Sequence, residues 1–176
     1  MEDKDSIGGV VLTGLQSRIA KVLPTQIREC VERLSEEQLW WRPNEQSNSV
    51  GNLVLHVSGS TMHFLCRNIG GFEYERDRPA EFLEHGPMSK QQLLEIFNET
   101  IEKAAHTFDS LNTSDLMKPS TEPAYYDFVL EDLLGVATHL ATHTGQIVYI
   151  TKMLEEGSVD GLWIRAHKMH GAWKTS

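Results

Sequence analysis

Two histidines stand four residues apart in the run His139-Leu140-Ala141-Thr142-His143. In a helix, a step of four turns about 400°, so both imidazoles leave one face about 40° apart. That spacing lets two rings hold a single ion without bending the backbone. Val136, His139, His143, Ile147, Ile150 and Leu154 share a stripe, which aims the pair at an apolar interior. Asp132 and Gln146 lie on its margin, placed to orient the rings or hold a water. Core histidines, each satisfied by one hydrogen bond, would produce the same stripe. A third ligand has to decide between the two readings. His56 is the candidate, on a strip with Ser49, Asn52, Ser60, His63 and Arg67, beside an apolar face of Leu53, Val57 and Phe64. A polar strip against a core face fits a water-containing cavity between helices, with His63 two turns along at its mouth. A solvent-exposed strip would show the same pattern, for His63 and Arg67 in particular.

Three neutral imidazoles leave zinc, nickel or iron(II) with at least one open position, as in catalytic rather than structural sites. Two chemistries follow. A thiol at such an ion loses its proton and becomes a nucleophile, or water does so and hydrolyses. Hydrolysis wants a carboxylate base close by, but Leu140 follows His139 where a zinc peptidase has glutamate. The balance tips toward thiol transfer. Arg42, Arg67, Arg76 and Arg78 are candidates to grip a carboxylate on thiol or substrate; as surface charges they would need no such role. Trp40 and Trp41, being adjacent, cannot share a helical face, so one is expected in the core and the other at the cavity rim. Cys30 and Cys66 have no His or Asp partner in the sequence pattern and read as buried filler. The remaining histidines, His85, His106, His167 and His170, are explained by surface positions.

The elements that must position these groups read as helical. Leu12, Leu15, Ile19, Val22, Ile27 and Val31 keep helical spacing from about Gly9 to Leu34, with Pro24 marking either a kink or a helix start. A short turn is expected before Pro43. A second helix runs from Ser47–Ser49 to about Ile69, stopped by Gly70-Gly71. The stretch from Phe72 to Met88, broken by Pro79, Gly86 and Pro87, reads as a long loop. A third helix opens at Ser89, with Gln92 at capping-box spacing, and reaches about Leu111. After a polar connector to Pro123, a fourth runs from Tyr126 or Asp127 to about Glu155. The tail from 156 to 176 contains Trp163 and Trp173 but no clear period. The pattern predicts an all-α four-helix bundle in one domain, 1–176, with its core at about 9–155.

Composition narrows the function classes. The 176 residues include 25 acidic and 16 basic side chains, a formal net charge of −9. Such a surface speaks against nucleic-acid binding, which needs clustered cations. No apolar run approaches the ~18 residues of a membrane span. The acidic start, Met1-Glu2-Asp3-Lys4-Asp5, is unlike a leader peptide. With only two cysteines, the expectation is a cytoplasmic protein without disulfides.

The segment Trp41-Arg42-Pro43 through Ser49-Val50-Gly51-Asn52-Leu53-Val54-Leu55-His56 resembles the first block of the DinB superfamily. Thr138-His139-Leu140-Ala141-Thr142-His143-Thr144-Gly145-Gln146-Ile147-Val148-Tyr149 resembles its second. The loop Arg76-Asp77-Arg78-Pro79-Ala80-Glu81-Phe82 and the lead-in Tyr125-Tyr126 resemble an uncharacterised bacterial branch of it. The match spans about Gln16 to Leu154. It implies an up-down-down-up bundle of DinB/YfiT type, commonly a homodimer, with a divalent metal on His56, His139 and His143. The resemblance also implies a small-molecule substrate, since characterised relatives include S-transferases and isomerases using low-molecular-weight thiols. Other relatives are described only as metal-dependent hydrolases. A non-catalytic metal or ligand binder would use the same three histidines.

Overall fold

The structure, a computed structural model, describes residues 5–83, 86, 88–121, 125–157 and 159–171. Within these residues every regular element is helical: α1 Ile7–Ser17, α2 Leu23–Arg33, α3 Glu36–Trp40, α4 Val50–Thr61, α5 Arg78–Leu83, α6 Lys90–Ser110, α7 Val129–Leu154 and α8 Leu162–Met169. His85, Pro87, Pro123 and Trp173 lie outside the described residues.

Pro24 lies in the first turn of α2, and the helix before it runs into α2 without a break. Proline has no N–H for the carbonyl four residues back, and its ring crowds that carbonyl. The chain answers with a π turn, Arg18–Val22, that joins α1 to α2 and carries the Leu23 N–H to the Arg18 carbonyl. A second π turn, Met62–Arg67, extends α4 to the Gly70-Gly71 stop, where Gly71 takes φ +74°. Capping boxes open three elements: Ser35 with Gln38, Ser49 with Asn52, and Ser89 with Gln92, the last at the spacing the sequence indicated. The Glu131 carboxylate accepts the Asp127 and Phe128 N–H groups and starts α7.

Two stretches depart from the sequence expectation. The segment read as a loop from Phe72 to Met88 contains α5, because Pro79 occupies the first turn, where its missing N–H costs nothing. The tail is also ordered locally. Gly161, at φ +67°, precedes α8, whose Leu162 and Ala166 are buried.

Packing sets the site. α2 packs on α6, α7 and α8, while α4 packs on α5, α6 and α7. The interior is filled by fully buried side chains such as Ile19, Ile27, Leu65, Leu93, Phe97 and Leu140. Burying a side chain of this size contributes about 1.5–3 kcal/mol relative to leaving it in water. The α4–α7 contact brings the two histidine-bearing helices face to face. No helix among the described residues is long and apolar enough to cross a membrane.

Candidate metal centre

His56 projects from the middle of α4, buried at 7 % exposure. His139 and His143 project from adjacent turns of α7 and are half-buried. His139 Nε2 lies 3.0 Å from His56 Nε2 and 3.2 Å from His143 Nε2. One nitrogen from each of the three rings falls within 4.8 Å of the others.

The outer nitrogens decide what the inner ones present. His56 Nδ1 is 2.8 Å from Glu81 Oε2. A carboxylate can only accept, so Nδ1 carries the proton and Nε2 is left with a lone pair. His143 Nδ1 is 2.6 Å from Gln146 Oε1, which fixes the same tautomer there. His139 Nε2 sits between these two acceptors and has at most one proton for them. At least one lone pair therefore points into the gap without a donor. Ligand bonds of about 2.0–2.1 Å, typical of Zn–N, place nitrogens about 3 Å apart around one ion. The donor set fits a divalent cation, and the three histidines form a group able to hold one.

Electrostatics favours the ligand forms. Burial pushes His139 down to about 4, helped by the neighbouring His143 and His56 rings and by Arg76. His143 is lowered too, mainly by burial and partly by His56, against the opposing hydrogen bond of Gln146. Both are neutral near pH 7, as ligands must be. Burial alone would raise Glu81. The hydrogen bonds from His56 and Arg76 outweigh it and hold the carboxyl below its ordinary value.

Glu81 was not singled out from the sequence, and it is the main addition. Arg76 grips it through Nε–Oε1 at 2.7 Å and Nη2–Oε2 at 2.9 Å. Asn52 Nδ2 donates to the Glu81 carbonyl at 3.0 Å, and Arg42 Nη2 donates to the next carbonyl, that of Phe82, at 3.2 Å. α5 is thereby fastened to the start of α4. Gly59 makes room: a methyl group there would strike the Glu81 carboxylate. The available signal was Pro79 followed by a glutamate two residues on, a helix start inside a stretch read as loop.

The other expected residues divide. Gln146 orients His143, as its marginal position on α7 suggested. Asn52 is fully buried and acts on α5 rather than on a ligand. Asp132 is buried and lines the cavity beside His139, where its carboxylate accepts from Ser120 Oγ at 3.0 Å. His63 packs edge-on against Phe64 and is not among the described residues lining that cavity. Arg78 lines the cavity with its guanidinium over Phe82, and Arg67 is exposed. Trp40 is half-buried and donates to the Met88 carbonyl, while Trp41 is 36 % exposed. Cys30 and Cys66 are buried free thiols, pushed up to about 11 and about 12 by desolvation. His106 is exposed, as expected. His167 is not: it is buried, its Nδ1 bonded to the Trp163 carbonyl and its Nε2 to Arg18. Helix α8 explains the difference, because it lays that ring against α2 and the π turn before it.

Fold and site together define an all-helical protein with a three-histidine group able to hold a metal ion. The chain belongs to the family described as "Protein of unknown function (DUF1572)", whose model matches residues 11–168. No curated protein and no solved structure matches it.

Proposed function

We propose that this protein is a divalent-metal-dependent S-transferase that joins a low-molecular-weight thiol to a small electrophile. The observation that carries the reading is the convergence of three imidazole nitrogens whose outer partners, Glu81 and Gln146, turn lone pairs inward. The packing of the long helical runs α1–α2, α4, α6 and α7 supports the finer assignment, an up-down-down-up bundle of DinB type. His56, His139 and His143 are the proposed ligands of zinc, nickel or iron. The ion would supply Lewis acidity, which lowers the pKa of a thiol bound beside it.

The chain's own residues do the rest. Glu81 and Gln146 fix ring orientation and tautomer. Arg76 neutralises Glu81, so the buried carboxylate draws no second proton to the site. Arg78 and the aromatic rings of Phe64, Tyr125 and Tyr126 face a cavity of about 400 Å³ that also includes His56 and His139. In the reaction proposed, the thiol releases its proton to water and its sulfur forms a bond to the electrophilic carbon. The bond from that carbon to its leaving group breaks, and the leaving group departs with the electron pair.

Transfer is favoured over hydrolysis by where the carboxylates lie. Glu81 is committed to His56 and Arg76, behind the ligand nitrogen. Asp132 lies seven residues before His139, about 10 Å of helix rise away, and bonds to Ser120. A homodimer in a reducing cytoplasm completes the proposal. Elemental analysis of native protein, followed by turnover of a model alkyl halide with and without added thiols, tests it. One ion per chain and thiol-dependent turnover are expected. Metal without turnover would leave a binding protein, and turnover of esters without thiol would establish the hydrolase.

A further inference from the structure

Apart from the three-histidine group there is a second cavity, of about 460 Å³, which none of the three histidines lines. Gln146 joins the two features. Its side-chain oxygen holds His143 Nδ1 while the residue lines the second cavity. Leu53, one turn before His56 on α4, lines it as well. The two cavities differ in chemistry. The first carries Arg76, Arg78 and Asp132 beside the ligand histidines. The second is formed by Trp41, Pro43, Leu53, Tyr149, Ile150 and Met153 with a few neutral amides and one hydroxyl. No carboxylate, ammonium, guanidinium or imidazole lines it among the described residues. In a chain with 23 % charged residues, a concavity lined by no charged side chain is a selective surface.

From this asymmetry we infer that the second cavity is a binding site for an uncharged aromatic small molecule. The assignment does not rest on the function proposed above. An ion entering the second cavity would lose water with no counter-charge to replace it, which is costly. A neutral ring instead gains contact with an indole, a phenol and a thioether. Such a size is ordinary for small-ligand pockets, which run about 300–1,000 Å³. The Gln146 amide that orients His143 also meets the occupant, so ligand binding and ring orientation share one side chain.

The test uses N-phenyl-1-naphthylamine, a neutral fluorescent probe, with the full-length protein. Its fluorescence is expected to rise on binding, with displacement by 4-nitrobenzyl alcohol but not by 4-nitrobenzoate, a charged molecule of similar shape. Met153→Glu and Tyr149→Ser alter exposed side chains and so leave the fold intact. Each is expected to weaken the probe, Met153→Glu by tenfold or more, while Arg78→Glu changes it less than twofold. Metal content is measured on the same samples and should not change. His143→Ala, which removes a proposed metal ligand, should still bind the probe, so failure of the metal reading and failure of this one are separable. Equal displacement by the anion, loss of the probe in Arg78→Glu, or no loss in Met153→Glu overturns the inference. So does a change of oligomeric state in Met153→Glu without loss of probe, which would make this face an interface between copies.

Discussion

Glu81→Gln is the sharpest perturbation of the metal centre, because it removes charge and leaves shape. In the native arrangement one carboxylate serves three donors: His56 Nδ1 at 2.8 Å, and Arg76 Nε and Nη2 at 2.7 and 2.9 Å. A glutamine offers one oxygen and one NH₂ group in their place. If the oxygen stays on His56, the NH₂ faces the guanidinium, donor against donor. If it turns toward Arg76, the NH₂ faces His56 Nδ1 and draws the imidazole into its other tautomer. The proton then sits on Nε2, where the lone pair is needed. Either outcome weakens the site, and only the second removes a ligand outright.

Loss of such a partner behind a metal-bound histidine typically costs 10–100-fold in affinity. That corresponds to about 1.4–2.7 kcal/mol. Equilibrium competition against a chromophoric zinc chelator at pH 7 reads this directly, and far-UV circular dichroism checks that the helices persist. Nitrogen-15 chemical shifts of the imidazoles add a readout that general destabilisation would not move. Nδ1 of His56 should carry the proton in the parent apoprotein and share it with Nε2 in the variant. Zinc affinity within twofold of the parent, with the tautomer unchanged, would refute the argument that Glu81 sets the ligand form of His56.

Other outcomes follow from the same structure. Gly59→Ala drives a methyl group into the Glu81 carboxylate and should cost about 1–3 kcal/mol in a urea titration, with a lowered metal load. Gly145→Ala meets open space on an exposed turn of α7 and should stabilise by up to about 1 kcal/mol in the same assay. Cys30 and Cys66, buried and pushed up to about 11 and about 12, should be silent to a disulfide reagent at pH 8, with both reacting after denaturation in guanidinium. Docking of α8 should weaken in acid. Burial, with Lys21 and Arg28 nearby, lowers His170, so the folded form resists a proton that the unfolded chain accepts below about 6.5. The Arg165 hydrogen bond lowers Glu29, and this contribution is full above about 4.5 and lost as pH falls through the folded value. Hydrogen exchange across Leu162–Met169 should therefore speed up on moving from pH 7 to 5, beyond the intrinsic rate change, and again below 4.5.

The sequence showed those parts of the molecule that depend on local spacing. Helical periods, the N-cap cluster at Ser47–Ser49 and the Ser89–Gln92 box located the starts of α4 and α6, because caps act within one turn. The His139–His143 pair was legible for the same reason; His56 was read as its partner from the polar strip it shares on the second helix, and the resemblance implied the same three ligands. What escaped depends on distant residues. Glu81 matters because α5 folds back over α4, a contact 25 residues from His56 in sequence. Similarly, α8 lacks a strong period of its own, and His167 is buried by Arg18 and the helix behind it, 149 residues away. Neither contact leaves a mark in any short window.

The residues that carried the resemblance acquire separate tasks when placed in space. Ser49 and Asn52 begin α4 by capping each other, which is a local matter. The same Asn52 uses its amide nitrogen to hold the Glu81 carbonyl, and Arg42, bonded to Asn52 Oδ1 at 2.7 Å, holds the carbonyl of Phe82. A capping residue thus doubles as the anchor of the element that presents Glu81 to His56. Loss of Asn52 would do more than fray a helix end. It would release α5, take one acceptor from Arg42, and free His56 to adopt the tautomer that points a proton into the site. Helix initiation and ligand preparation are coupled through one side chain, so the first block's asparagine belongs to the metal centre although it touches none of the three ligand nitrogens. Asn52→Ala should therefore lower zinc affinity together with stability, whereas Ser49→Ala, which removes the cap but keeps the Asn52 amide, should lower stability alone; equal metal loss in both would sever the coupling.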